Sequence, residues 1–252
     1  VMIAAAHAMA MEFTLHVDDG VDRAALASTM SHVESDLRWA DAVFSTFSET
    51  SWISRLSRGE TTVADCPPAV EQVLDLCAHY KGATRGAFDA LSPDGAIDPT
   101  GIVKTWAMER VRWRLDDLPA AGWLWGCAGD AVVSGIGPDE GRTWRVGIAH
   151  PEHRFQSVGA VTLGGEHTAI ATSGTTVHGG HIWAPGGEAP AYVQASVVGT
   201  DLVECDAWAT AIVAGGEPVA LAAQEHGMDV LALRMVDGRI VAERSPGWDW
   251  AA

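Results

Sequence analysis

Apolar and polar residues alternate from Met9 to Val17, which predicts a strand, and Asp19-Gly20 after it predicts a turn. From about Asp22 to Phe44 the period lengthens, and Leu26, Met30, Val33, Leu37 and Trp39 fall towards one face of a long helix. Pro67 and Pro68 suit a helix start, after which Val70, Val73, Leu74, Cys77 and Tyr80 keep helical spacing until Gly82 ends it. A Gly- and Pro-rich connector, 86–101, leads into a third helix with Val103, Trp106, Ala107, Arg110 and Trp113. Between about Gly122 and Val198 the pattern shifts to short β-like runs punctuated by glycine: 131–133, 144–148, 157–163, 169–172 and 192–198. Asp206 to Val213 and Glu217 to His226 read as two further helices, and 230–235 with 239–243 flank Asp237-Gly238 as a closing hairpin. Helices interleaved with largely antiparallel strands predict an α+β architecture, as a single domain over 1–252 or two closely packed lobes.

Composition narrows the function classes. The 252 residues carry 16 Lys and Arg against 33 Asp and Glu, and a net charge of -17 disfavours nonspecific binding to nucleic acid or anionic membrane. The apolar stretch from Val1 to Met11 is interrupted by His7 and lacks a basic leader, so it reads neither as a signal peptide nor as a membrane span. Because the chain begins at Val, a trimmed upstream segment is open, and the cytoplasm is only the default compartment. Cysteines 66, 77, 127 and 205 form no Cys-x-x-Cys pair and read as ordinary buried thiols. The basic residues between Lys104 and Arg114 read either as an anion-facing patch or as a solvated helix face.

Neither a dinucleotide-binding glycine fingerprint nor a phosphate loop of the Walker type is present, so a nucleotide must be held otherwise. Three segments offer the chemistry. Gly86-Ala87-Phe88-Asp89 and Asp98 to Lys104 combine a stacking face at Phe88, acceptors at Asp89 and Asp98, and a phosphate-neutralising charge at Lys104. Four-residue spacing on a helix puts the carboxylate of Asp206 and the hydroxyl of Thr210 on one face, two hard oxygens that suit Mg²⁺ shared with phosphate better than zinc. The alternative for that pair is an Asp helix cap with a surface Thr. Finally, 171–174 followed by His178 and His181 places imidazoles after a small-residue turn, where one can take a proton from an attacking hydroxyl.

Taken in order, these segments resemble the ApbE family of Mg-dependent FAD:protein FMN transferases. Met9-Ala10-Met11 stands at the family's first motif, Phe44 to Phe47 with Ser51 at the second, Gly86 to Asp89 at the third and Asp98 to Lys104 at the fourth. Gly129-Asp130, Trp144 to Ile148, Ala171 to Gly174, His181 to Pro185 and Asp206 to Thr210 follow, so the resemblance spans nearly the whole chain. It implies a compact fold likened to the T-fold. It implies flavin-nucleotide contacts from Met9, Phe47, Ala87, Phe88, Asp89, Asp98, Lys104, Ser173 and His181, and metal ligation by the Gly101 carbonyl, Asp206 and Thr210. Asp206 and His181 are its candidates for catalysis, His181 as acceptor-positioning group or base.

The implied reaction moves the FMN moiety of FAD to a Ser or Thr hydroxyl of an acceptor flavoprotein and releases AMP. Several positions depart from the family pattern. Ala10 and Met11 replace Gly-Thr, Gly126 replaces an Asn, Ala128 replaces a Gly, Thr105 replaces the Gly after Lys104, and Ala184 replaces the Asp that would support His181. Two other functions compete: an FAD pyrophosphatase giving FMN and AMP, and a flavin-binding protein without turnover. Many relatives are exported lipoproteins, but no lipobox cysteine is present here, so that address does not transfer.

Overall fold

The computed structural model describes every residue except 140–141, 154, 176–181, 184–188 and 252. Its centre is an eight-stranded antiparallel sheet in the order β1-β2-β3-β4-β7-β8-β9-β10. The strands are β1 (Met2–Ala8), β2 (Met11–Val17), β3 (Gly122–Cys127), β4 (Asp130–Gly135), β7 (Ala169–Gly174), β8 (Gln194–Gly199), β9 (Asp229–Val236) and β10 (Arg239–Arg244). A separate hairpin of β5 (Trp144–Ala149) and β6 (Ser157–Leu163) is inserted between β4 and β7. The helices are α1 (Arg23–Phe44), α2 (Trp52–Ser57), α3 (Pro68–Ala83), α4 (Thr100–Asp116), α5 (Leu202–Gly215) and α6 (Glu217–Glu225).

Period-two alternation in the central strands divides the interior into two cores. Val132, Ala169, Ala171, Ala195, Val197, Val230 and Ala232 join one core with the helices. Their neighbours Ala131, Val133, Ile170, Val198, Leu231 and Leu233 pack on the opposite face with Trp144, Ile148, Leu163 and Trp248. Because the middle of the sheet is covered on both sides, its strands read as apolar runs rather than clean alternation. The chain end is drawn into the second layer: the amide of Ala251 donates to the Ala160 carbonyl, and Trp250 lies against Gly159.

Local chemistry sets the boundaries. Asp22 caps α1 by accepting from the amides of Ala24 and Ala25, and Asp201 caps α5 through the amide of Glu204. Asp237 and Gly238, both at positive φ, turn β9 into β10 as the Asp-Gly signal predicts. The strand expected from Met9 starts instead at Met11. Met9 and Ala10 occupy left-handed conformations, φ 52 and 56, as the two-residue turn that returns β1 along β2. Strand β1 was not predicted, nor was the short helix α2.

One expectation for the helices is corrected, and one open alternative is narrowed. Trp39 does not join the buried face of α1; it is partly exposed, with the guanidinium of Arg110 4.7 Å from its ring centre. Of the two readings left open for the basic residues of α4, the arginines favour a locally engaged helix face. Arg112 pairs with Glu109 and lies over Trp123, and Arg114 pairs with Asp36 at 2.7 Å and stacks on Trp113. The four cysteines are unpaired; Cys77, Cys127 and Cys205 are buried and Cys66 half-buried. Among the described residues no helix is long and apolar enough to cross a membrane.

Candidate functional site

The richest polar cluster lies on the helix-facing side of the sheet, where α4 and α5 meet β4 and β7. Helix α5 is buried on nearly every side, and Asp206 is the one charged residue among its buried positions. Asp130 opens β4 after a tight turn at Ala128 and Gly129, φ 51 and 97. Strand parity aims Asp130 to the same side as Val132, towards the helices, and puts Ser173 on that side with Ala169 and Ala171.

Charge and hydrogen bonding tie the cluster together. Lys104 Nζ lies 2.6 Å from Asp130 Oδ2, and the other oxygen of Asp130 accepts the amide of Thr172 at 3.0 Å. Thr105, with no exposed surface, donates its hydroxyl to Asp206 Oδ2 at 2.9 Å. One helical turn along α5, the hydroxyl of Thr210 is 2.8 Å from that of Ser173. Behind them, on the far face of the sheet, Thr172 and Ser196 pair their hydroxyls at 2.8 Å.

The electrostatics follow from two buried carboxylates sharing one ammonium. Burial pushes the carboxyl of Asp206 up to about 7, the charge of Asp130 adds to the rise, and Lys104 and the Thr105 hydroxyl oppose it. For Lys104, burial works against the ammonium, but the Asp130 and Asp206 charges outweigh it and hold its pKa above the usual lysine value. Two ionised carboxylates would exceed the single ammonium, so without a further cation the cluster tends to hold a proton. The carboxylate of Asp206 and the hydroxyls of Thr210 and Ser173 are hard donors, so the residues fit a hard divalent cation such as Mg²⁺ and suit zinc poorly. Among the described residues no three His, Cys, Asp or Glu side chains converge as a ligand set. An ion here would thus need phosphate or water oxygens to complete its shell.

The remaining predicted residues are distributed differently. Gly101 lies in the first turn of α4, one turn before Thr105, where an added methyl would come within 3.0 Å of the Phe88 ring. Phe88 itself is 2% exposed and packs edge-on against Tyr80, so its ring fills the core instead of offering a stacking face. Ala87 is buried against Gly215. Asp89 pairs with Lys81 at 2.7 Å, and Asp98 accepts the amide and hydroxyl of Thr100 at the start of α4. Both carboxylates thus organise their own loop.

Met9 donates its amide to Asp41 on α1, and Phe47, 98% exposed, stands on the turn just beyond that helix. They lie towards the same end of α1. His181, His178 and Ala184 fall outside the described residues. Sequence reasoning missed two members of the cluster. Asp130 entered only as part of a motif, although an acid opening the apolar run Ala131-Val132-Val133 was a signal. Thr105 entered only as a replacement.

Comparison with known proteins bears on the fold and the family. The flavin transferase ApbE of Vibrio cholerae is similar over 97% of both chains, with a TM-score of 0.78 at 19% identity. The flavinyl transferase ApbE of Pseudomonas stutzeri in its apo form gives a TM-score of 0.79 at 17% identity, covering 97% of this chain and 94% of that one. The ApbE protein of Thermotoga maritima gives 0.78 at 18% identity over 97% of both chains. At such identities the likeness establishes the fold, a compact α+β structure. No curated protein sequence matches. The model of the ApbE family matches residues 91–233, more than half of the 252 and including the whole polar cluster, and the chain belongs to the ApbE family.

Proposed function

We propose that the protein transfers the FMN moiety of FAD to a Ser or Thr hydroxyl of an acceptor flavoprotein, with AMP as the leaving group. The observation that carries this reading is the pair of buried carboxylates, Asp130 and Asp206, set against the single, partly exposed ammonium of Lys104 at the junction of α4, α5 and β4. A pyrophosphate is a polyanion, and a lysine held beside an under-neutralised carboxylate pair suits its binding only together with a cation.

In the proposed reaction the acceptor oxygen forms a bond to the phosphorus of the FMN half. The bridging P–O bond to the AMP half breaks, and the hydroxyl proton passes to a base, for which His181 is the candidate by resemblance. Asp206, Thr210 and the Gly101 carbonyl would hold Mg²⁺, whose chemistry is Lewis-acid stabilisation of charge on the phosphate oxygens. Lys104 contributes a fixed positive charge on the nucleotide side, with Asp130 orienting its ammonium. Ser173 sets the hydroxyl of Thr210. Such positioning and charge placement account for most of the catalysis in phosphoryl transfer.

The test is incubation with FAD, Mg²⁺ and an acceptor flavoprotein, followed by denaturation. Flavin that stays on the unfolded acceptor, with one AMP per flavin, supports transfer. AMP with wholly free FMN makes the protein a pyrophosphatase, and FAD bound without AMP makes it a carrier.

A further inference from the structure

Thr105 is an unusual threonine. A hydroxyl inside a helix ordinarily bonds back to a carbonyl one turn earlier, and Ile102 O lies 3.1 Å from Thr105 Oγ1. The same oxygen is closer to Asp206 Oδ2, at 2.9 Å, across 101 positions of sequence. Having a single hydrogen to give, it engages the acid on α5 as the shorter contact. Both groups are buried, so no exposed solvent competes for that carboxylate oxygen.

Resting on the metal reading of Asp206 above, we propose that Thr105 is a positioning residue that sets the denticity of Asp206 and thereby favours Mg²⁺ over Ca²⁺. With one lone pair of Oδ2 taken by the hydroxyl, capture of a cation by both oxygens together is disfavoured and ligation through a single oxygen is not. Mg²⁺ is small, demands near-octahedral geometry and is served by single oxygens. Ca²⁺ takes six to eight ligands and readily accepts both oxygens of one carboxylate. A hydrogen bond to one oxygen therefore weakens the two-oxygen mode open to Ca²⁺ and leaves the single-oxygen mode of Mg²⁺ intact. It also fixes the carboxylate plane, the usual role of an outer hydrogen bond to a metal-bound acid.

The test titrates the full chain with Mg²⁺ and, separately, with Ca²⁺, by calorimetry, for the native protein, Thr105→Val, Thr105→Ser and Asp206→Ala. Valine keeps the shape and loses the donor; serine keeps the donor. The expected result is that Thr105→Val weakens Mg²⁺ binding by about 10-fold or more, while Ca²⁺ binding is unchanged or tighter. Thr105→Ser should keep the native preference.

Equal weakening for both ions in Thr105→Val, or a serine variant that behaves like valine, overturns the inference and leaves the metal reading standing. If the native protein binds Mg²⁺ no better than Asp206→Ala, both fall together. Thermal unfolding in chelator shows whether each variant is folded, and the Mg²⁺ to Ca²⁺ ratio is a quantity that a general loss of packing does not shift.

Discussion

The ammonium of Lys104 rests 2.6 Å from Asp130, and both side chains are largely withdrawn from solvent. Removing one member of such a pair leaves the other charged and buried, at a cost of about 3–5 kcal/mol. Lys104→Met should therefore lower the unfolding free energy by roughly that amount and weaken FAD binding. In the double variant Lys104→Met with Asp130→Asn, much of the stability should return while FAD affinity stays low. Urea denaturation and FAD titration in chelator measure the two separately; a double variant as unstable as the single one would show that the pair is not coupled.

The raised carboxyl of Asp206 makes a prediction about pH. Its folded value is about 7 against an ordinary value of 3.8, so between those values the folded state holds a proton that the unfolded state has lost. In metal-free protein this group's contribution must then fall as pH rises from about 4 to about 7 and stay low above that, by on the order of a few kcal/mol. Asp206→Asn should flatten the profile and exceed the native stability at pH 8. Equal slopes for the two proteins between pH 5 and 8, in chelator, would refute the assignment.

Magnesium should act in the opposite sense. An ion that binds only the folded state stabilises it by about 2.7 kcal/mol at 100 times its Kd, so Mg²⁺ should raise the melting temperature of the native protein at pH 8. Asp206→Ala should show no such rise. Differential scanning calorimetry with and without chelator reads the effect.

Ala128 adopts φ 51 in the turn that delivers Asp130 to β4. A left-handed alanine costs roughly 1–2 kcal/mol, part of which glycine returns through its larger unfolded-state entropy. Ala128→Gly should raise stability by up to about 1 kcal/mol and leave FAD affinity unchanged. A loss of stability would mean that the methyl group packs more usefully than its backbone strain costs.

Much of the fold is legible in the sequence because its signals are local. The start of α1 at Asp22, the proline at the start of α3 and the Asp-Gly turn of the last hairpin each act within four residues, whereas the cap at Asp201 was overlooked and α5 was expected only from Asp206. Strand β1 is not legible, since Met-Ile-Ala-Ala-Ala-His-Ala alternates in burial but hardly in polarity. The site divides on the same line. Asp206 and Thr210 announce themselves by spacing on one helix, whereas the bond from Thr105 to Asp206 and the ion pair from Lys104 to Asp130 exist only once distant segments pack. Phe88 misleads for the matching reason: beside an acid in a glycine-rich loop it looks available, and only the packing of Tyr80 and α4 over it shows that it is not.

The order in which the cluster's members occur along the chain has a bearing on biosynthesis. Lys104, Asp130 and Ser173 emerge from the ribosome well before Asp206 and Thr210, and α5 is the piece that closes over them. A growing chain therefore holds an incomplete cluster until that helix is made, and the proposed nucleotide site can close only after α5 packs over its earlier members.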